Sequence, residues 1–247
     1  MVLRLARENR GWGYQRIAGE LGALGLSVAA TTIRKVLREA GVGPAGQRAG
    51  VRWREFIRGR AASMLACDFF TVDTVFARRL CILFFIELGS RRVHVAGGTQ
   101  HPSGAWVAQQ ARQLSWSLAD RASPPRLLID DRDSKFSGAF DEVFRSAGIE
   151  IVRTPIQAPQ ANAFAERFVG TVRRECLDWI LVIGRRQLER VLHTYVDHYN
   201  SHRPLRGLGL VPPQPRPALR LAAPADPLRI RRRDRLGGLI HEYSAAA

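Results

Sequence analysis

The sequence predicts an α/β protein in which helices flank a mixed five-stranded sheet and a small helix-turn-helix segment precedes it. Two observations lead to this prediction. Short apolar runs suited to strands fill the stretch from Met64 to Ala96, and beyond Gly104 strands alternate with stretches of helical spacing. Upstream, two short helical patterns flank a glycine-containing turn. Three strands in a meander followed by alternating units indicate a mixed sheet covered by helices.

The helix-turn-helix prediction rests on residues 14–41. Tyr14 to Leu24 carries apolar residues at the 3.6-residue spacing of an amphipathic helix. We expect Thr31-Thr32 to cap a second helix that ends at Gly41. The outer side of this second helix is basic, as in a recognition helix, although a plain helical hairpin is the alternative. Its candidate DNA-contacting residues are Arg34, Lys35 and Arg38.

The remaining elements follow in the order β-β-β-α-β-α-β-α-α. The predicted strands are residues 64–75, 79–87, 92–96, 126–130 and 149–153. The predicted helices are residues 104–118, 140–147, 162–180 and 186–199. The tail has five prolines from Pro212 to Pro224 and is predicted to be extended, with a last small element over Leu236–Tyr243.

The net charge of the chain indicates which kind of molecule it binds. Lys and Arg number 38 against 22 Asp and Glu, a net charge of +16, and Lys35 and Lys135 are the only lysines. Such an excess favours nucleic acid first and an anionic membrane second, with a general arginine preference of the source as the alternative explanation. The apolar runs fall far short of the roughly 20 residues that span a bilayer, so we expect no membrane partner. The three cysteines, without CxxC spacing, fit a reducing cytoplasm.

Three acidic residues stand where a fold normally avoids them. Asp68 interrupts an apolar strand, and an unpaired carboxylate there is costly. Asp131 follows a buried strand, at the sheet edge where α/β folds place their sites. Glu166 lies near the start of a predicted helix that can cover the same edge. If the two strands are neighbours, the three carboxylates meet.

Three hard oxygen donors at one place suit Mg²⁺ or Mn²⁺. Two such ions, about 3.5–4 Å apart, activate an attacking hydroxyl and stabilise the leaving oxygen of a phosphodiester. Asp68, Asp131 and Glu166 are therefore both the candidate catalytic residues and the candidate metal ligands.

Several sequence blocks carry a family resemblance. They are Asp68-Phe-Phe-Thr-Val, Asp131-Arg-Asp-Ser-Lys-Phe136, Thr154-Pro, Pro159-Gln-Ala-Asn-Ala-Phe-Ala-Glu166-Arg-Phe-Val-Gly-Thr-Val-Arg-Arg-Glu-Cys176 and Tyr199-Asn-Ser-His-Arg-Pro-Leu205. In this order, with 35 residues between the second and third acids, they resemble the DDE insertion-sequence transposases that have an integrase (retroviral-type) catalytic core. The resemblance covers roughly Met64 to Leu210.

The resemblance implies an RNase H-like fold, two divalent ions on the three acids, and DNA strand transfer by direct transesterification. Together with the residue patterns above, it gives four predicted regions: a helix-turn-helix segment (1–42), a basic linker (43–62), an RNase H-like integrase catalytic core (63–205) and a Pro/Arg-rich C-terminal tail (206–247). Oligomerisation on DNA is also implied, because two element ends are joined together.

Further DNA contacts are expected around the third acid. Arg173 and Arg174 share the helix face of Glu166 and could bind phosphate in bidentate fashion, or form a solvated basic face. Asn162 lies in a segment that resembles the family's loop before the catalytic helix, and it is a candidate DNA contact.

Two departures from the family pattern stand out. Asp133 replaces the glycine that usually stands two residues after the second acid, which adds negative charge and makes Asp130 and Asp133 rival ligands. Related transposases commonly carry another helix-turn-helix further upstream, whereas Met1 here falls almost at the second. We therefore expect an N-terminally truncated copy.

The leading functional hypothesis is a DNA transposase/integrase that nicks element ends and joins them to target DNA, in the cytoplasm and associated with the nucleoid. The alternatives are a catalytically silent DNA-binding remnant that regulates the intact transposase, and an RNase H-like nuclease that cuts without joining.

Overall fold

The structure is a computed structural model that describes residues 1–9, 11–45, 57, 59–119, 121, 123–130, 133, 135–153, 163–215 and 230–245. The chain divides into two compact units, of which the smaller includes Met1–Arg60 and the larger begins at Ala61. Each unit is described by itself below.

The N-terminal unit contains helices α1 (Val2–Glu8), α2 (Tyr14–Ala23) and α3 (Ala30–Glu39). The three helices pack together around a small apolar core: Ala6, Ile17, Leu21, Ile33 and Leu37. The short first helix did not emerge from the sequence. The prediction that Thr31-Thr32 caps α3 was wrong, because the helix begins at Ala30 and its N-cap residue is Ala29.

The basic side of α3 lies where the sequence predicts. Ile33 and Leu37 are fully buried against α1 and α2, which leaves the other side of the helix in solvent. The three basic residues expected to contact DNA are all exposed: Arg34, Lys35 and Arg38.

The larger unit is built on a five-stranded mixed sheet. Its strands are β1 (Met64–Asp73), β2 (Arg79–Glu87), β3 (Val93–Thr99), β4 (Leu127–Asp130) and β5 (Glu150–Arg153). Their order across the sheet is β3-β2-β1-β4-β5, with β1–β2 and β2–β3 antiparallel and β1–β4 and β4–β5 parallel. The predicted RNase H-like mixed sheet with flanking helices is confirmed, and β1 lies at its centre.

Among the described residues, four helices flank the sheet. They are α4 (Gly104–Ala119), α5 (Gly138–Ser146), α6 (Ala163–Glu175) and α7 (Arg185–Ser201). Side chains of β1 and β2 alternate between the two faces. Leu65 and Phe85 pack with α4 and α5 on one face, whereas Phe84 contacts Phe168 of α6 on the other, with 5.1 Å between ring centroids.

The helix predicted over 162–180 is shorter than expected. It ends at Glu175, and Cys176 leaves helical geometry with φ −142° and ψ −62°. A 3₁₀ turn over Leu177–Trp179 follows, and the indole Nε1–H of Trp179 donates to the carbonyl oxygen of Arg174 over 2.8 Å. This bond satisfies a carbonyl in the last turn, where helical partners run out.

Residues 230–245 of the tail form a β-hairpin, β6 (Ile230–Arg235) and β7 (Ile240–Ala245), where one small element over Leu236–Tyr243 was predicted. Near the start of the tail, a 3₁₀ turn spans Arg206–Leu208. The hairpin is joined to α7 by polar contacts. Nη2 of Arg235 donates to Asp197 over 2.8 Å, and its Nε donates to the buried carboxylate of Glu242 over 3.1 Å. Glu242 also faces Nδ1 of His198 at 3.4 Å and Nε2 of His202 at 3.6 Å.

Two of the sequence-based expectations concern the state of the cysteines and the character of the helices. All three cysteines are free thiols. Burial raises the pKa of Cys176 to about 12, so this thiol stays protonated. Within the described ranges, no helix combines the length and the apolar character needed to cross a bilayer.

Candidate active site

Asp68 lies in the middle of the central strand. Its cross-strand partner in β2 is Phe84, and directly opposed residues project from the same face of a sheet. Since Phe84 contacts α6, Asp68 also faces the side of the sheet that α6 covers. The carboxylate is half-buried, and its Oδ1 accepts a hydrogen bond from the backbone N–H of Phe69 over 2.7 Å. The strand therefore fixes both the position and the orientation of this acid.

Asp131 lies outside the described residues. Its chain neighbour Asp130 ends β4 and is buried. The described pairing of β1 with β4 runs from Met64 with Leu127 to Ala66 with Ile129. This is a constant offset of 63 residues, the separation that also holds between positions 68 and 131.

Asp133, the residue that replaces the family's glycine, has its charge matched locally. Its Oδ2 accepts a bond from Nζ of Lys135 over 2.5 Å, and its Oδ1 accepts the Lys135 backbone N–H over 3.0 Å. The same ammonium lies 5.2 Å from the ring centroid of Phe69, next to Asp68 in β1. Lys135 therefore balances the charge of Asp133 and also approaches β1.

Glu166 lies in the first turn of α6 and is exposed. Two contacts hold this helix against the sheet. Phe168 packs on Phe84, and Nη2 of Arg173 donates to the carbonyl oxygen of Thr71 in β1 over 2.7 Å. The helix of the third acid is therefore docked directly on the strand pair that carries the first.

The two arginines of α6 have different surroundings. Arg173 is half-buried against β1, a positioning contact that its place in the sequence did not reveal. Arg174 is exposed, and its Nη1 lies beside Gly170, 3.1 Å from where a Cβ would stand. Asn162, the other expected DNA contact of this region, lies outside the described residues.

The far ends of α6 and α7 are joined by a polar network. Arg203 pairs with Glu175 through Nε at 2.8 Å and Nη2 at 2.5 Å, and the hydroxyl of the buried Tyr195 donates to Glu175 over 2.9 Å. Burial alone would raise the pKa of Glu175, but these donors lower it. Glu175 is therefore an ionised structural anchor rather than a proton donor.

The side chain of Asn200 ties α7 to β3. Its Oδ1 accepts the backbone N–H of Val93 over 2.9 Å, and its Nδ2 donates to the carbonyl of Val93 over 2.8 Å. Two side chains of the Tyr-Asn-Ser-His-Arg-Pro block therefore connect this part of the chain to other elements: Asn200 binds β3, and Arg203 binds Glu175 of α6.

The carboxylate oxygens of the three acidic residues are donor atoms of the kind that a hard divalent cation binds. Carboxylate oxygens are preferred donors for Mg²⁺ and Mn²⁺. Asp68 and Glu166 are carried by elements packed together on one face of the sheet. In the portion of the chain that the structure describes, no three His, Cys, Asp or Glu side chains are grouped closely enough to hold a metal ion, and that portion does not include Asp131.

Comparisons with known proteins bear on this site. Residues 147–213 match the family model described as integrase core domain. This span contains Glu166, Arg173, Asn200 and Arg203, and it does not contain Asp68.

Two insertion-element proteins are similar over most of the chain. One is the insertion element IS476 uncharacterized 39.2 kDa protein of Xanthomonas euvesicatoria, 28% identical over 217 residues, which cover 86% of this chain and 62% of that protein. The other is the insertion element IS407 uncharacterized 31.7 kDa protein of Burkholderia multivorans, 26% identical over 86% of this chain and 77% of that protein. The chain thus spans less than two thirds of the length of the first.

The fold has a counterpart among solved structures. A chain of the simian T-cell lymphotropic virus intasome in complex with the PP2A regulatory subunit B56 gamma has a TM-score of 0.52 and 12% identity, over 75% of this chain and 67% of that one. Fold, core-domain match and insertion-element relatives together confirm the resemblance drawn from the sequence, to insertion-sequence transposases with an integrase catalytic core.

Proposed function

We propose that this chain is a DDE-type DNA transposase/integrase that nicks the ends of its element and joins the freed 3′-OH ends to target DNA. The observation that supports it most is the docking of α6 on β1. Phe168 and Arg173 hold the helix of Glu166 on the sheet face toward which Asp68 projects. A half-buried acid on a central strand and an exposed acid on a helix packed against it can share one phosphodiester.

Asp68, Asp131 and Glu166 are the proposed metal ligands and catalytic residues. Two Mg²⁺ or Mn²⁺ ions would supply charge stabilisation for the attacking and leaving oxygens when bound there. The chain positions the acids: the Phe69 N–H orients Asp68, and α6 presents Glu166 from its first turn, where a carboxylate is favoured by the helix dipole. Asp131 stands 63 residues after Asp68, the offset of the described β1–β4 pairs, which supports its place in the set.

DNA is the proposed partner, both as element ends and as target. The proposed contacts are Arg34, Lys35 and Arg38 of α3, together with Asn162, Arg173 and Arg174 near the third acid. Phosphate contacts by these residues would make binding depend strongly on salt. In this proposal, copies of the chain form a homo-oligomer on the two DNA ends of the element, and the protein is associated with the nucleoid.

A strand-transfer assay with labelled element ends and Mg²⁺ or Mn²⁺ tests this function. We expect Asp68→Asn, Asp131→Asn and Glu166→Gln each to abolish joined product while leaving DNA binding and thermal unfolding unchanged. Asp133→Asn is the matched control, because Asp133 is engaged by Lys135; it should retain joining.

The assay separates the alternatives as well. Binding without cleavage by the unaltered chain would support a silent, regulatory remnant. Cleavage without joining would support a nuclease. Full joining by Asp68→Asn or Glu166→Gln would overturn the assignment of the acids.

A further inference from the structure

Arg91, which has no acidic partner among the described residues, lies beside the helix of Glu166. Arg91 is in the turn between β2 and β3, and its Cζ lies 3.7 Å from the ring centroid of Phe164. Phe164 comes two residues before Glu166 in α6. Arg167, the residue after Glu166, places its own Cζ 6.0 Å from the same ring centroid. Two arginines therefore converge on one aromatic ring at the start of the catalytic helix.

The surroundings of Arg91 are unfavourable for a cation. Its Nη1 is buried and has no hydrogen-bond partner within the described residues. No acidic side chain pairs with Arg91 or Arg167 in that same set. Burial and the nearby charge of Arg167 lower the pKa of Arg91. Arg91 as a whole is half-buried, and leaving one of its buried guanidinium nitrogens without a partner is costly. An anion bound to the rest of the guanidinium would offset part of that cost.

The turn that carries Arg91 is held in place. The backbone at Arg91 has φ +63°, a conformation uncommon for a residue with a side chain, and its N–H donates to the carbonyl of Glu87 over 2.8 Å. Gly89 lies so close to the segment before β1 that a Cβ would stand 2.8 Å from Cα of Ala62. An uncommon backbone conformation kept in place by tight packing is a feature of ligand sites.

We propose that Arg91 and Arg167 together form a phosphate-binding site that takes a backbone phosphodiester of DNA next to Glu166. This site rests on the proposed function and deepens it, because it names two groups that hold the substrate at the catalytic helix. A guanidinium offers paired N–H donors whose fork matches two phosphate oxygens. The ring of Phe164 lies against the guanidinium of Arg91 and limits the positions that this side chain can take.

Salt-dependent DNA binding tests the site. The affinity of the full chain for a fluorescent duplex is measured over a range of KCl concentrations. The slope of log affinity against log salt is negative, and each lost phosphate contact decreases its magnitude by about 0.9. We expect about that decrease for Arg91→Gln and again for Arg167→Gln, and about twice that decrease for the double variant.

Matched variants separate charge from packing. Arg112→Gln, at an exposed arginine of α4, should leave the slope unchanged. Arg91→Lys keeps the charge and should recover most of the slope. Arg167 is exposed, so its replacement keeps the test valid even if Arg91→Gln unfolds the turn. An unaltered slope in the double variant, in a chain that otherwise binds DNA with strong salt dependence, would overturn the site.

A second probe distinguishes failure of the site from failure of the proposed function. Inorganic phosphate is titrated into ¹⁵N-labelled protein, and the Nε–Hε signal that disappears in Arg91→Lys is followed. A saturable shift of that signal supports the anion site even if the chain does not bind DNA, in which case the proposed function fails alone. No shift, alongside normal DNA binding by the double variant, rejects the site and leaves the function standing.

Discussion

Arg173 donates a hydrogen bond to the carbonyl oxygen of Thr71 over 2.7 Å, and this bond joins the helix of Glu166 to the strand of Asp68. The bond spans 102 residues of sequence. It lies at the opposite end of α6 from Glu166, so it sets the direction of the helix rather than touching the reacting groups.

Arg173→Ala should cost about 2 kcal/mol of unfolding free energy, because a charge-assisted bond to a strand carbonyl is lost. Arg174→Ala, at the adjacent exposed position, should cost less than about 0.5 kcal/mol. Urea denaturation measures both. Equal costs for the two variants would contradict the positioning role of Arg173.

Stability at low pH should depend on Glu87. His94 Nε2 at 2.8 Å, Ser90 Oγ at 2.7 Å and Arg121 Nη1 at 2.5 Å all donate to this carboxylate. Burial alone would raise the pKa of Glu87, but these donors lower it from 4.5 to about 2.

Because the folded-state pKa of Glu87 lies below the unfolded value, its contribution is full above about pH 4.5 and disappears as the pH falls towards about 2. That contribution is at most about 3 kcal/mol. Urea denaturation at about pH 6 and about pH 3 should show a smaller difference for Glu87→Gln than for the unaltered chain. Glu142→Gln, at an exposed glutamate, is the control, and the same pH difference in both variants would refute the role of Glu87.

Asn200→Ala should be among the most destabilising single changes in α7. It removes both side-chain bonds to Val93 and leaves a buried N–H and a buried carbonyl without their partner, at a cost of about 3 kcal/mol. His193→Ala, at an exposed position of the same helix, should change stability by less than about 0.5 kcal/mol. Thermal unfolding of the two variants checks the difference, and similar melting temperatures would count against this account of Asn200.

Glu242→Ala should release the hairpin from α7. The buried carboxylate is the shared partner of Arg235, His198 and His202, and its removal leaves Arg235 with Asp197 as its remaining acidic contact among the described residues. Trypsin should then cleave after Arg231–Arg233 several times faster, while α6 and β1 stay protected. Tyr243→Ala, at an exposed position of the same strand, should keep the unaltered cleavage rate. Unchanged cleavage in Glu242→Ala would show that other contacts hold the hairpin.

The element order of the larger unit could be predicted because each element carries its own periodicity. Asp68 stood out because a charge inside an apolar strand needs a reason, and the structure places it on the central strand. The end of α6 could not be predicted, since it depends on the indole of Trp179 reaching back to Arg174. The hairpin was missed because β6 is mostly arginine and lacks alternating apolar residues, and its attachment depends on contacts such as His198 with Glu242, 44 residues apart.

The roles of the basic residues around the site were harder to predict than the positions of its acidic residues. The sequence suggests that Arg173 and Arg174 act alike, whereas one contacts a strand and the other contacts solvent. That difference depends on how the helix is rotated against the sheet. The ion pair between Lys135 and Asp133 joins residues only two positions apart, so it could have been predicted from the sequence.

Among the described residues, β6 and β7 pair only with each other, and unpaired strand edges invite pairing with another chain. Arg231, Arg232 and Arg233 are all exposed along β6. A second copy approaching in register would bring a row of like charges into contact, so electrostatic repulsion guards this edge against aggregation. The same arginines that make the tail so basic therefore help keep neighbouring molecules apart at high concentration.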